Sequence, residues 1–211
     1  MPVLELHNMK KPTWIVFDVG DVLLEWQASS ALLAEHLGVD KDALLDALFE
    51  YADDMFIGKI SPIDGWTEIL KKLDIKADPR NMILQWRDKR CWFTESLALV
   101  RDLHAAGYKL AVMSNSWLGL GDKRDANQLP DEVKLFSHIF DSSKAGVKKP
   151  DIRFYELVEQ GIGADGQDVM LIDDSVANFV PARQKDWQCY HYITSEDKGR
   201  QSAKELRKAL L

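Results

Sequence analysis

The chain has 211 residues, of which 46% are hydrophobic and 29% charged, and 27 Lys and Arg against 34 Asp and Glu give it a formal net charge of −7. This composition is ordinary for a globular protein with a substantial core, and the acidic balance excludes a general nucleic-acid binder, which needs clustered Lys and Arg. The two cysteines, Cys91 and Cys189, exclude a disulfide framework and a four-cysteine zinc site.

Four short apolar runs, each ending at a polar residue, predict β-strands. In chain order they are Trp14 to Phe17, Leu110 to Met113, Val169 to Ile172 and Tyr190 to Ile193, and His138 to Ser143 is a weaker fifth candidate. The first three runs are nearly continuous rather than alternating in hydrophobicity. That pattern is typical of strands buried on both faces, as in a parallel sheet covered by helices.

Helical patterns separate most of these runs. They cover Ser96 to Ala106, with Gly107 as the capping glycine, then Asp151 to Gln160, which stops at Gly161, then Ser175 to Asp186 and Ser195 to Leu211. Strands that alternate with helices of this length predict a doubly wound α/β domain.

The stretch from about Gln27 to Arg90 departs from this alternation, because its hydrophobic periodicity is helical throughout and no buried strand interrupts it. We interpret it as an insert of about four helices. The expected division is an α/β core of residues 1–24 and 91–211 and a helical insert of residues 25–90.

Polar side chains follow the ends of three predicted strands. Asp18 comes directly after the first strand, Ser114 and Asn115 follow the second, and Asp173 and Asp174 follow the third of the continuous runs. In open α/β sheets, ligands bind outside the carboxyl ends of the strands. We therefore expect these side chains to meet at one edge of the sheet.

Several carboxylates at one edge cannot all stay ionised without a counter-charge. A hard divalent cation with oxygen ligands, Mg²⁺ above all, is the usual solution and commonly brings a phosphate with it. The loop AGVKKPD adds Lys148 and Lys149 just before a helix. A lysine and the Ser114 hydroxyl can hold phosphate oxygens, while a carboxylate at this place can act as a nucleophile.

The segments FDVGDVL, VMSNS, GVKKPDIRFYE and MLIDDSVANFVPAR resemble, in this order, the four motifs of the haloacid dehalogenase (HAD) superfamily. The helical insert resembles the C1 cap of subfamily I. The resemblance implies a Rossmann-like, doubly wound parallel sheet of about five strands, with a helical cap inserted after the first strand. It implies these roles: Asp18 as nucleophile, Ser114, Asn115 and Lys149 as phosphate-binding residues, and Asp18, the Gly20 carbonyl, Asp173 and Asp174 as Mg²⁺ ligands. Lys149 is preferred to Lys148 because it directly precedes Pro150.

One position departs from the family pattern. Phosphatases of the family usually carry an Asp two residues after the nucleophile, where it protonates the leaving group and then activates water, and here that residue is Gly20. This DxG variant resembles the branch that includes sugar-phosphate phosphatases. Asp21 is a candidate substitute acid and base, and a turn or helix-cap role is its alternative.

The predicted function is an Mg²⁺-dependent phosphatase that hydrolyses a small phosphorylated metabolite, with a sugar phosphate as one candidate, through an aspartyl-phosphate on Asp18. One alternative is a non-catalytic HAD-like domain that binds a phosphorylated ligand or a protein, which Gly20 favours. A less favoured alternative is a 2-haloacid dehalogenase, whose chemistry needs no metal and so no Asp173-Asp174 pair.

We expect a cytoplasmic protein with a small phosphorylated substrate and neither nucleic acid nor membrane as partner. The N-terminal sequence MPVLELHNMKKP lacks the apolar segment of a secretory signal, and no apolar run approaches the length of a membrane span. The substrate and the oligomeric state, monomer or homodimer, stay open.

Overall fold

A computed structural model describes residues 10–117, 129–194, 197 and 199–211. Five strands in this part of the chain form a parallel sheet in the order β3-β2-β1-β4-β5. The strands are β1 (Trp14–Phe17), β2 (Lys109–Ser114), β3 (His138–Asp141), β4 (Val169–Asp173) and β5 (Gln188–His191). The predicted α/β fold with about five parallel strands is therefore confirmed.

The central strand β1 sends alternate side chains into two separate cores. Ile15 and Phe17 belong to a cluster that also holds residues of α5 (Thr94–Ala105) and α9 (Arg200–Leu210). Trp14 and Val16 belong to a second cluster with α7 (Ile152–Ile162) and α8 (Phe179–Gln184). Because both faces of the sheet are buried, the strands are continuously apolar rather than alternating.

Four helices follow β1, and we call them the cap. They are α1 (Trp26–Leu37), α2 (Lys41–Phe56), α3 (Pro62–Lys72) and α4 (Pro79–Asp88). Their apolar side chains form a third cluster, which Trp117 joins from the segment after β2. We propose residues 25–90 as a cap domain on the strength of this separate core.

Short capping signals divide the cap into its helices. The side chains of Asp40, Ser61 and Asp78 each accept a hydrogen bond from a backbone N–H in the first turn of α2, α3 and α4. Pro62 and Pro79 occupy the first helical position, where a missing N–H costs nothing.

The ends of two elements differ from the prediction. Helix α7 continues through Gly161 to Ile162 and ends at Gly163, which has a positive φ of 65°. A Cβ on Gly161 would lie 2.5 Å from the ring of Phe140, so this glycine lets α7 pack closely against β3 rather than ending the helix. The last strand begins two residues earlier than expected, at Gln188, whose side chain donates to the carbonyls of Lys10 and Gln167.

Three other segments are shorter than predicted. The weak fifth strand ends at Asp141, and Ser142–Ala145 forms the short helix α6. The segment after β4 starts with a 3₁₀ turn, Val176–Asn178, before α8. Helix α9 begins at Arg200, while Ser195, Glu196 and Lys198 of the predicted helix lie outside the described residues. Within the described part of the chain, none of the helices is both long and apolar enough to span a bilayer.

Candidate active site

Three carboxylates and one ammonium group meet at the carboxyl edge of the sheet. One carboxylate oxygen each of Asp18, Asp173 and Asp174 lies within 4.8 Å of the others. The Nζ atom of Lys149 lies 2.8 Å from Asp18 Oδ1 and 2.7 Å from Asp173 Oδ2. When ionised, three carboxylates and one ammonium carry a formal charge of −2, which one divalent cation would balance.

Burial makes this excess of negative charge costly. Asp18 is 8% exposed, and burial raises its pKa to about 7, with Lys149 opposing the shift and Asp173 adding to it. Burial and the charges of Asp173 and Asp21 also raise the pKa of Asp174. Burial disfavours the ammonium of Lys149 too, but the neighbouring carboxylates outweigh it and raise that pKa. A bound cation would stabilise the ionised carboxylates that burial disfavours, so this cluster fits a hard divalent cation such as Mg²⁺.

Asp173 is held on several sides. Its Oδ1 atom accepts hydrogen bonds from the backbone N–H of Ser175 at 2.9 Å and from Asn178 Nδ2 at 2.8 Å. Asn178 is fixed in turn, because the hydroxyl of Tyr155 donates to its carbonyl at 2.6 Å. Sequence reasoning missed Asn178, whose only signal was its place five residues after Asp173 in the last motif.

Asn115 is engaged with the loop that carries Lys149. Its Nδ2 atom donates to the Lys149 carbonyl at 3.0 Å, and its Oδ1 atom accepts from the Lys149 N–H at 2.8 Å. The amide that we predicted to bind phosphate therefore spans the backbone of Lys149 and fixes its position. The neighbouring Lys148 points elsewhere and forms an ion pair with Asp53 of the cap.

Ser114 lies at the end of β2, on the strand next to Asp18, and is 7% exposed. It lines a cavity between the sheet edge and the cap, and Gly20 lines the same cavity. Ser114, at the end of β2, and Lys149, in the loop before α7, lie at the same edge of the sheet. Their joint binding of an anion stays a prediction.

The structure gives Asp21 a capping contact. It has a positive φ of 49°, and its Oδ1 atom accepts a hydrogen bond of 3.1 Å from the N–H of Trp26, the first residue of α1. The side chain of the N-cap residue Glu25 makes no capping hydrogen bond, so the Asp21 side chain caps the N-terminus of α1 instead. Burial raises the pKa of Asp21, and the hydrogen bond from Trp26 opposes this shift.

The cavity measures about 80 Å³, which is enough for several water molecules or a compact organic group. Its wall toward the cap is aromatic. The aromatic residues are Trp26, Phe56, Trp86, Trp92 and Trp117. A Cβ built on Gly20 would meet no heavy atom within 4 Å, so the cavity wall has room for a side chain at this position.

Comparison with known proteins identifies this set of motifs. A family model described as haloacid dehalogenase-like hydrolase matches residues 12–184. The sesquiterpene phosphatase astK of Aspergillus oryzae is 24% identical over 172 residues, which cover 80% of this chain and 83% of that protein. The (S)-2-haloacid dehalogenase of Pseudomonas sp. strain YL is 28% identical over 114 residues, or 53% of this chain and 47% of that protein.

The fold has a close counterpart among solved structures. A HAD family enzyme from Bacteroides thetaiotaomicron, in complex with magnesium and inorganic phosphate, superposes with a TM-score of 0.66. The sequence identity is 19%, and the match covers 88% of this chain and 96% of that one. At this identity the match establishes the shared architecture.

Proposed function

The chain belongs to the haloacid dehalogenase-like hydrolase family, and we propose that it is an Mg²⁺-dependent phosphatase that hydrolyses a small phosphorylated metabolite through an aspartyl-phosphate on Asp18. The observation that carries this proposal is the cluster of Asp18, Asp173 and Asp174 around Lys149. The formal charge of the ionised cluster is −2, which one divalent cation would balance. The relative described as a sesquiterpene phosphatase also supports phosphate-ester hydrolysis.

In the proposed mechanism, Asp18 is the nucleophile, and Ser114 and Lys149 hold the phosphoryl oxygens. Asn115 keeps Lys149 in place through its two backbone hydrogen bonds. Asp18, Asp173, Asp174 and the Gly20 carbonyl would hold Mg²⁺. When bound, Mg²⁺ would neutralise the excess charge of the carboxylates and stabilise negative charge on the phosphoryl oxygens.

The Asp18 carboxylate attacks phosphorus, a bond forms between its oxygen and phosphorus, and the bond to the leaving alcohol breaks. The alcohol oxygen takes a proton from water, because Gly20 has no acid side chain and Asp21 is occupied at the start of α1. A water molecule then attacks phosphorus and gives a proton to solvent, the bond between the Asp18 oxygen and phosphorus breaks, inorganic phosphate leaves and the carboxylate is restored. The cap selects the alcohol and excludes bulk water during both steps.

The test is the turnover of a panel of phosphate esters with Mg²⁺ and with EDTA, by the wild type and by Asp18→Asn. Asp54→Asn is the matched control, because Asp54 is a carboxylate of the cap that pairs with Lys59 near solvent. We expect hydrolysis by the wild type and the control only with Mg²⁺, and none by Asp18→Asn. Undiminished hydrolysis by Asp18→Asn would contradict the mechanism.

Gly20 favours a second candidate, a non-catalytic domain that binds a phosphorylated ligand. Thermal stabilisation by Mg²⁺ with beryllofluoride, combined with no turnover of any ester, would support it. Because the chain is similar to a haloacid dehalogenase, the panel also includes 2-chloropropionate. Release of halide from 2-chloropropionate that persists in EDTA would show dehalogenation instead.

A further inference from the structure

A buried carboxylate outside the carboxylate cluster lines the cavity that Ser114 and Gly20 also line. Asp141 ends strand β3, lines the cavity between sheet and cap, and is 4% exposed. Within the described residues, neither of its carboxylate oxygens has a hydrogen-bond partner of good geometry, although the nearby Ser143 side chain, like Lys144, lowers the pKa of Asp141. Its nearest cation is Lys144, whose Nζ atom lies 3.9 Å from Oδ2 and whose side chain is 66% exposed. A buried carboxylate with so little compensation is costly unless a ligand supplies a donor.

The position of Asp141 separates it from the reacting atoms. It pairs with Ser114 across β2 and β3, so both side chains point to the same face of the sheet. Strand β3 lies two strands away from β1, which places Asp141 on the order of 10 Å from Asp18. This distance is too long for protonation of the leaving oxygen, but it suits a group several bonds farther along the leaving alcohol.

The rest of the cavity is mainly apolar. Trp117 packs against Phe56 at 5.3 Å, against Trp86 at 5.9 Å and against Trp26 at 6.1 Å between ring centroids. Rings in mutual contact form a firm wall that cannot satisfy the several hydroxyl groups of a sugar. The polar residues of the lining besides Asp141 are Arg90, Ser114, Asn115 and Ser116, and the indole N–H of Trp117 has no acceptor among the described residues.

We propose that Asp141 is a specificity-determining residue whose carboxylate accepts a hydrogen bond from a hydroxyl or ammonium group on an otherwise apolar leaving alcohol. This inference rests on the proposed phosphatase function and narrows its substrate to the monophosphate of a compact apolar alcohol with one such donor. A hydroxyl group could also accept from Trp117 Nε1 in the same cavity. Burial raises the pKa of Asp141 to about 6, against the opposing charge of Lys144, so the carboxylate is largely ionised at pH 7.5. An ionised carboxylate is a strong acceptor in a water-poor pocket.

The test compares phenyl phosphate with its 3-hydroxymethyl and 3-aminomethyl derivatives and with glucose 6-phosphate, at pH 7.5 with Mg²⁺. The aryl esters differ chiefly in the donor and much less in the acidity of the leaving phenol. We expect kcat/KM of the wild type for one of the two donor-bearing esters to exceed that for phenyl phosphate by roughly tenfold to a hundredfold. The preferred derivative identifies the donor as hydroxyl or ammonium. Glucose 6-phosphate should be the poorest substrate.

Asp141→Leu should reduce the ratio of kcat/KM for the preferred donor-bearing ester to kcat/KM for phenyl phosphate to about one, while kcat/KM for phenyl phosphate stays within roughly threefold of the wild type. Asp141→Asn should lower this ratio only partly, because an amide carbonyl still accepts a hydrogen bond. Asp131→Asn is the control, since the side chain of Asp131 is 89% exposed. Equal rates for all three aryl esters in the wild type, an unchanged preference in Asp141→Leu, or glucose 6-phosphate as the best substrate would each overturn the inference.

A binding experiment separates this inference from the phosphatase proposal. Quenching of tryptophan fluorescence measures the binding of benzylphosphonate and of its 3-hydroxymethyl and 3-aminomethyl derivatives, none of which can be hydrolysed. If no ester is turned over, tighter binding of one derivative that disappears in Asp141→Leu still supports the role of Asp141. Equal binding of all three phosphonates by the wild type would overturn that role even if esters are hydrolysed.

Discussion

Replacing Gly20 by Asp should accelerate the hydrolysis of alkyl phosphates, because it supplies the acid that the proposed mechanism takes from water. The substitution is compatible with the structure. A Cβ at this position meets no heavy atom within 4 Å, and Gly20 is not among the glycines with positive φ. Gly20 lines the cavity and follows Asp18 by two residues, so the new carboxyl would enter the cavity wall. The loss of a flexible glycine favours folding by about 0.4–1 kcal/mol, while repulsion between the new carboxylate and the existing cluster opposes this gain.

The expected gain follows from general acid–base catalysis. A positioned acid contributes about 10²–10⁴-fold, or roughly 3–5 kcal/mol of the activation free energy. An alkoxide needs a proton as it leaves, whereas 4-nitrophenolate does not. We therefore expect Gly20→Asp to raise kcat/KM for an alkyl phosphate by roughly a hundredfold or more and for 4-nitrophenyl phosphate by no more than a few fold.

Gly20→Asn is the matched control, because it has the same shape and no transferable proton. The assay is phosphate release from a pair of esters, one alkyl and one 4-nitrophenyl, by the wild type and both variants. Equal rates for Gly20→Asp and Gly20→Asn would refute the reasoning. An equal gain on both esters would also refute it, since an acid acts only where the leaving group needs protonation.

Three further predictions concern the buried charges and their supports. Because burial raises the folded-state pKa of Asp141 from 3.8 to about 6, ionisation weakens the fold as pH rises through that range. In urea unfolding, the free energy of unfolding of Asp141→Asn should exceed that of the wild type by roughly 1–3 kcal/mol at pH 8 and by about a third as much at pH 4.5. Equal gains at both pH values would contradict this. Lys149→Met leaves the carboxylates without their ammonium group, so we expect its free energy of unfolding, measured with urea in the absence of metal, to be roughly 3–5 kcal/mol lower than that of the wild type. Wild-type stability of this variant would contradict the proposed charge balance. Asn115→Ala frees the backbone of Lys149 and should lower kcat for phosphate release roughly tenfold to a hundredfold, with KM nearly unchanged; a rise in KM alone would indicate direct phosphate binding by Asn115 instead.

The sheet could be predicted because its strands are buried on both faces. Such strands read as continuous apolar runs, and Trp14–Phe17 and Val169–Asp173 lie where their runs predict, apart from one residue at an end. The start of β5 was missed because Gln188 is polar, and the hydrogen bonds of its amide nitrogen to the carbonyls of Lys10 and Gln167 exist only in the folded protein. Gly161 was misinterpreted as a helix end because its reason, the close approach of Phe140, exists only in the folded protein.

The candidate site, like the sheet, was predictable from the sequence only in part. The motif residues lie at strand ends, so the sequence placed Asp18 and Asp173 at one edge before any side-chain geometry was known. The contact of Asn115 with Lys149 depends on how two loops meet, which no spacing in the sequence encodes. The contact of Asn178 with Asp173 depends on the 3₁₀ turn that follows β4. Asp141 had a weaker signal, because it follows the apolar pair Ile139-Phe140 inside the predicted fifth strand. Its burial without hydrogen-bond partners needed the structure.

The central claim is that the phosphoryl group of the substrate is transferred to the carboxylate of Asp18. The direct measurement is mass spectrometry of the wild type, acid-quenched during turnover of a phosphate ester with Mg²⁺ and digested to peptides. Because Gly20 supplies no base to activate water, hydrolysis of the phosphoenzyme should be slow and the intermediate should accumulate. We expect one added phosphoryl group on the peptide that contains Asp18, lost in EDTA and reduced in Gly20→Asp. Turnover with unmodified Asp18, or a phosphoryl group on another residue, would contradict the proposed mechanism.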